Sequence, residues 1–160
     1  MTDFTQAVAR RGQPEAAFEA LAALVQETVG AKLFTTTVVM RERGVVRRNF
    51  STMPDAYPVS GEKPLTKDRW ADQVEGRHET FVANSIEEIA AVFPDHELIR
   101  SLGCESCMNV PIVIDGTVVG TLNCLHEAGH YTREHVARAE TLKLPGAVTF
   151  LMHRISEKGA

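Results

Sequence analysis

Two β-rich runs on either side of Asp115-Gly116 constrain the fold of this chain more than any other feature. The segments 106–114 and 117–125 are rich in β-branched and apolar residues, which favour strands. The Asp-Gly pair between them is typical of a two-residue hairpin turn. The sequence therefore predicts an antiparallel hairpin in this half of the chain.

A second hairpin and two flanking helical segments complete the predicted frame. Strands at 31–40 and 45–51 are joined by the turn signal Arg43-Gly44. One helix opens after Pro14, and the last helical segment begins at Thr132, where Pro145-Gly146 is expected to kink or split it. Two antiparallel hairpins with a helix at each end predict an α+β domain.

The middle of the chain carries shorter elements. Residues 52–66 contain three prolines and a glycine and are predicted to form a long loop, of the kind that often covers a functional site. We predict a short helix that carries Trp70, a brief strand at 79–83 and a short helix at 95–102.

Composition limits the classes of function. A chain of 160 residues fits one domain, and a formal charge of −4 without basic runs argues against a nucleic-acid partner. No apolar run is long enough to cross a membrane, and the polar N-terminus lacks the apolar core of a signal peptide. We therefore expect a cytoplasmic protein whose three cysteines are mostly reduced.

Residues 102–112 (LGCESCMNVPI), followed by Asp115-Gly116 and by 119–123 (VGTLN), resemble the core of a GAF domain. The order of elements extends the resemblance over about residues 14–155, so residues 1–160 are interpreted as a single GAF-like domain. The resemblance implies a central antiparallel β-sheet with the terminal helices on one face. It also implies a small-molecule pocket on the other face, covered by a loop and short helices.

By the same resemblance, the protein is expected to be a small-molecule-binding sensor or regulatory module. It is expected to form a homodimer through its terminal helices, to pass its signal to a separate output protein and to need no cofactor. The residues expected to bind the ligand are apolar wall residues and polar or thiol-bearing residues of the second hairpin: Tyr57, Trp70, Phe81, Cys107, Asn109, Asn123 and His126. For the three aromatic residues, an ordinary core position is an equal alternative.

The predicted register of the second hairpin determines which of its side chains lie opposite each other. With a two-residue loop, Cys107 faces Cys124 at a non-hydrogen-bonded pair, where side chains are closest. In this register Asn109 and Asn123 point to opposite faces, so only one of them lines a given pocket. A β-bulge would change both expectations.

The paired thiols allow a second function. The free methionine-R-sulfoxide reductases are a GAF group with catalytic cysteines, and Cys107 and Cys124 would act here as nucleophile and resolving thiol with His126 as the nearby base. The alternative is that both cysteines are buried apolar filler.

A third function rests on residues 126–130, which spell the zinc-peptidase motif HExxH. A metal-dependent hydrolase would need His126 and His130 on one face of a helix, with Glu127 activating water. The β-branched residues upstream and Gly129 instead predict a strand that ends near His126 and is followed by a turn.

Overall fold

The computed structural model describes residues 1–159, which form one antiparallel sheet covered by helices. The strands are β1 (Leu33–Met40), β2 (Val45–Ser51), β3 (Glu62–Pro64), β4 (Phe81–Ala83), β5 (Ser106–Ile114) and β6 (Thr117–His126). Their spatial order is β3-β2-β1-β6-β5-β4, and every neighbouring pair is antiparallel. The predicted α+β class and both predicted hairpins are confirmed.

The helices follow the predicted order with one addition at the N-terminus. They are α1 (Phe4–Ala9), α2 (Glu15–Thr28), α3 (Arg69–Ala71), α4 (Ile86–Ala90), α5 (His96–Ser101), α6 (Arg133–Ala139) and α7 (Lys143–Gly159). Helix α1, and strand β3 within the predicted loop, were not predicted from the sequence. Among residues 1–159, no helix combines the length and the apolar character needed to cross a membrane.

The two faces of the sheet carry separate hydrophobic cores. On one face, α2 and α7 contribute Leu21, Val25 and Phe150 to a cluster that includes Phe34 and Met108. The opposite face has a smaller cluster built from loops and short helices; its members include Ile89 of α4, Ile99 of α5, and Cys107 and Leu125 of the sheet. This second core leaves space beside it, where the cavity described below lies.

The last helical segment is split before Pro145 rather than at it. Helix α6 ends at Ala139, a single 3₁₀ turn follows, and α7 begins at Lys143. Pro145 therefore lies in the first turn of α7, where a missing N–H does not break a helical hydrogen bond. The predicted position of the break was wrong because proline is tolerated in that turn.

A β-bulge in the second hairpin changes the predicted register. Ile114 pairs with Thr117 and Val113 with Val118, as a two-residue turn requires, but Ile112 then pairs with Gly120. The extra residue on β6 shifts all later pairs by one. A one-residue shift moves side chains to the opposite face of a sheet, so the bulge decides which residues face the cavity.

Gly120, next to the bulge, is the point where the sheet has no room for a side chain. A Cβ atom there would lie 2.3 Å from the carbonyl oxygen of Thr37 and 2.8 Å from a ring carbon of Phe150. Glycine thus lets α7 pack closely against the centre of the sheet.

We predict that Gly120→Ala lowers the free energy of unfolding by about 2–4 kcal/mol, because backbone or the Phe150 ring must move to admit the methyl group. Urea unfolding measures the loss. The matched control is Gly159→Ala, where no atom beyond the adjacent residues and the helix's own nearby backbone lies within 4 Å of the added Cβ. Equal stability of the two variants would contradict the close packing described for Gly120.

Candidate functional site

A cavity of about 340 Å³ lies on the face of the sheet opposite α2 and α7. Strands β1, β5 and β6 form its floor, and strand β3, helix α3 and the segment 92–94 contribute to its walls. The predicted pocket face and the predicted covering by a loop and short helices agree with this arrangement. Its volume is at the lower end of the range typical of small-molecule sites.

Asn123 on β6 is the centre of the cavity floor. Its Oδ1 accepts hydrogen bonds from Asn109 Nδ2 and Thr121 Oγ1, both at 2.9 Å. Its Nδ2 donates to Thr35 Oγ1 at 3.2 Å and to Thr37 Oγ1 at 2.9 Å. One amide therefore connects β1, β5 and β6 through side chains, in addition to the backbone ladder.

The bulge places both asparagines on this floor. Asn109 pairs directly with Asn123, so their side chains share one face of the sheet. The expectation that they point to opposite faces was wrong, because it assumed a hairpin without a bulge. Both residues line the cavity, together with Thr35, Thr37 and Thr121.

Trp70 connects the helical wall to the floor. Its Nε1 donates to Asn109 Oδ1 at 3.0 Å, and its ring packs edge-to-face with Phe93, with 6.5 Å between the ring centroids. Phe93 also lines the cavity, whereas Phe81 lies outside the lining and packs edge-to-face with Phe93. Trp70 is therefore placed as expected, and Phe81 supports a wall residue instead of forming the wall.

Tyr57 anchors the covering loop over the cavity. Its hydroxyl donates to Asp95 Oδ2 at 2.5 Å, and the Arg48 guanidinium lies 3.6 Å from its ring centroid. Lys63 Nζ lies 3.2 Å from the same Asp95 oxygen. Burial opposes ionisation of Asp95, but the Tyr57 hydrogen bond and the Lys63 charge outweigh it and lower the pKa of this carboxyl. The anchor is thus a buried hydroxyl bound to an ionised carboxylate.

Three carboxylates of the cavity wall are engaged by arginine side chains or by a backbone N–H group. Glu62 forms two hydrogen bonds with Arg43, of 2.7 and 2.9 Å, and Glu75 pairs with Arg41 at 3.1 Å. Asp68 accepts from the backbone N–H of Ala71 at 2.9 Å and caps α3. Around the cavity, these carboxylates are therefore engaged by the protein itself.

The bulge also separates the cysteines that were expected to touch. Cys107 pairs with Leu125 and lines the cavity, while Cys124 pairs with Met108 and belongs to the core beneath α2 and α7. Burial raises the pKa of both thiols to about 12. The predicted contact was wrong, and the structure lacks the paired, activated thiols that the reductase alternative requires.

His126 lies outside the cavity, contrary to its expected role in ligand binding. It ends strand β6, and its ring stacks on that of His130 with centroids 3.7 Å apart and planes within 5° of each other. His126 Nδ1 accepts from the backbone N–H of Glu127, and His130 Nε2 donates to the carbonyl of Val29 at 2.8 Å. Each histidine ring is thereby held by a hydrogen bond to a backbone group outside the cavity.

The HExxH segment has no helical geometry. Residues 127–130 form a turn after β6, as the sequence predicted, and the two stacked rings direct their nitrogen lone pairs along parallel planes. Lone pairs that lie in two parallel, stacked ring planes do not converge on one tetrahedral ion. Within residues 1–159, no group of three or more His, Cys, Asp or Glu side chains is arranged to hold a metal ion. A zinc-peptidase site is therefore not formed.

The comparison with protein families agrees with this architecture, since a model described as the GAF domain matches residues 13–143. The chain belongs to the GAF domain family. Comparison with curated protein sequences gives no match. The family assignment confirms the resemblance found in residues 102–123.

Solved GAF domains share the fold at low sequence identity. The GAF domain of a two-component sensor histidine kinase from Bacillus halodurans superposes with a TM-score of 0.72 at 13% identity, covering 92% of this chain and 99% of that one. The GAF domain of a phosphoenolpyruvate-protein phosphotransferase from Coxiella burnetii gives 0.70 at 18% identity, covering 97% and 92%.

A free methionine-R-sulfoxide reductase from Neisseria meningitidis, solved with its substrate, gives a TM-score of 0.56 at 16% identity and covers 96% of this chain and 87% of that one. The superpositions establish a common fold for this GAF domain. Sequence identities this low carry no information on its ligand.

Several residues at the cavity were not predicted from the sequence. Thr35 and Thr37 alternate along β1 and Thr121 precedes Asn123 by two residues, so the period-2 pattern of polar residues could have revealed the floor. Phe93 and Asp95 come from a connection between two short helices, and no sequence pattern brings them to the sheet.

We predict that the three thiols of this GAF domain react with Ellman's reagent at pH 8 at least about a hundredfold more slowly in the native protein than in guanidinium chloride, because burial keeps them protonated. The unfolded protein serves as the control and should release three equivalents. Rapid release of one equivalent from native protein, mapped to Cys107 by mass spectrometry, would instead support a reactive thiol in the cavity.

Proposed function

We propose that this GAF domain binds a small organic molecule in the cavity above Asn109 and Asn123 and acts as a cytoplasmic sensor or regulatory module. The observation that carries the proposal is the buried polar floor, an amide and hydroxyl network within a mainly apolar cavity. Apolar walls with a few fixed polar groups are the usual construction of a ligand site.

The contacts around the covering loop supply a means of regulation. Tyr57, Asp95 and Lys63 join three separate segments of the cavity wall, and Arg48 stacks on the same tyrosine. A molecule that enters the cavity displaces or tightens these contacts. Occupancy therefore changes the conformation of the covering loop, which a partner protein recognises. The sensor histidine kinase that contains the Bacillus halodurans neighbour supports this type of role.

The domain pairs with a second copy of itself through α7. Leu144, Leu151 and Ile155 are 74%, 41% and 69% exposed, and half-buried Val148 lies between the first two. Their spacing of four, three and four residues is that of a coiled-coil seam. A stripe with this spacing fits the same stripe on a symmetry-related copy, which is how most homodimers associate.

Native mass spectrometry after incubation with a small-metabolite extract tests the function. We expect a bound small mass that is released on denaturation, on a protein that has the mass of a dimer. Val39→Phe narrows the cavity, because Val39 lines it, and should abolish the bound mass.

The matched control is Val113→Phe, the same exchange at a residue that is 38% exposed and lies outside the cavity. It should bind as the wild type does. Identical spectra for all three proteins, with or without adducts, would contradict a ligand site in this cavity.

A further inference from the structure

The hydrogen-bonding capacity of Asn123 is fully used within the protein. A side-chain amide has two N–H donors and an oxygen with two lone pairs. Both donors of Asn123 go to threonine hydroxyls on β1, and its oxygen accepts two hydrogen bonds, from Asn109 and Thr121. Asn123 therefore orients the floor and has no free group for a ligand.

Asn109 keeps part of its capacity free. One of its N–H groups donates to Asn123, and its oxygen accepts one hydrogen bond, from Trp70. Within residues 1–159, its second N–H and second lone pair engage no protein group, although Asn109 is only 5% exposed. A ligand group that engages both free positions must be able both to accept and to donate.

Threonine hydroxyls add further donors at the same floor. The oxygens of Thr35 and Thr37 accept hydrogen bonds from Asn123, which leaves their own O–H groups to donate. Both residues line the cavity. The floor thus offers several neutral donors and at least one neutral acceptor.

No charged side chain belongs to this floor. The charged residues that line the cavity and their ion-pair partners comprise four cations and four anions: Arg41, Arg43, Arg48, Lys63, Glu62, Asp68, Glu75 and Asp95. Most of the paired side chains also reach solvent, with Arg43 and Lys63 54% and 44% exposed. Within residues 1–159, Arg48 beside Thr37 forms no ion pair, but its guanidinium stacks on the Tyr57 ring and donates to the Pro58 carbonyl at 2.8 Å. A ligand charge at the floor would therefore lose its hydration without meeting an unengaged opposite charge, which is unfavourable.

We propose that the ligand of this cavity is an uncharged molecule with an apolar body and one neutral group that both donates and accepts, such as a carboxamide or a ring lactam. Asn109 recognises that group, and Trp70 and Phe93 contact the apolar body. This inference rests on the proposed function, and it excludes ligands that would place a carboxylate, phosphate or ammonium group on the floor.

Three isosteric probe series test the inference: aryl carboxamides, aryl carboxylates and aryl amidines, each with one-ring and two-ring members. Trp70 is the only tryptophan of the chain, so its emission reports binding directly. We expect the carboxamides to bind at least about tenfold more tightly than the carboxylates and the amidines of the same shape. Val39→Phe should abolish the response, and Val113→Phe should retain it.

Asn109→Asp provides a second, independent readout. It replaces the amide with an isosteric carboxylate, so carboxamide affinity should fall at least about tenfold while the cationic amidines gain affinity. Circular dichroism and thermal unfolding establish whether the variant is folded. The ranking of the three probe series on the wild type does not depend on whether this variant is folded.

The outcomes distinguish failure of the proposed ligand class from failure of the proposed function. A carboxylate or amidine that binds the wild type as tightly as its carboxamide, with a response that Val39→Phe abolishes, overturns the uncharged class and leaves the cavity as a ligand site. If no member of any series gives saturable binding sensitive to Val39→Phe, the proposed function is refuted, and the ligand class with it.

Discussion

The hydrogen bonds of Asn123 are the constraint on which the rest of the site depends. A polar amide in the middle of a sheet is unfavourable unless its donors and acceptors are all paired, and here each one is. The pairing fixes β1, β5 and β6 relative to one another and holds Asn109 where it meets Trp70. The cavity floor is therefore a property of the sheet itself, whereas the walls come from loops and short helices.

The bulge between the turn and the floor makes this arrangement possible. Without the extra residue in β6, Asn109 would lie on the opposite face from Asn123. The same shift places Cys107 at the cavity and Cys124 beneath the helices. A single inserted residue thus replaces the expected pair of Cys107 and Cys124 with the observed pair of Asn109 and Asn123.

The sequence predicted those features that depend on local chemistry. The Asp115-Gly116 turn, the helix start at Thr132 and the strand end at His126 were all predictable from neighbouring residues. The bulge was not predicted, because it depends on packing across the sheet, including the close approach of α7 at Gly120. Packing of this kind leaves no pattern in the neighbouring residues. Phe93 reaches the cavity and Asp95 reaches Tyr57 through tertiary folding alone, so no local pattern marked them.

Urea unfolding of Asn123→Leu, compared with Asn49→Leu, tests the central role of Asn123 most directly. Asn49 offers the same exchange at a residue with one side-chain hydrogen bond, to Thr36. We expect Asn123→Leu to lower the free energy of unfolding by about 2–4 kcal/mol and Asn49→Leu by about 1 kcal/mol, because the first leaves several buried polar groups without partners. The native Trp70 emission should also shift in Asn123→Leu alone. Equal losses in the two variants, with unchanged Trp70 emission, would contradict the account.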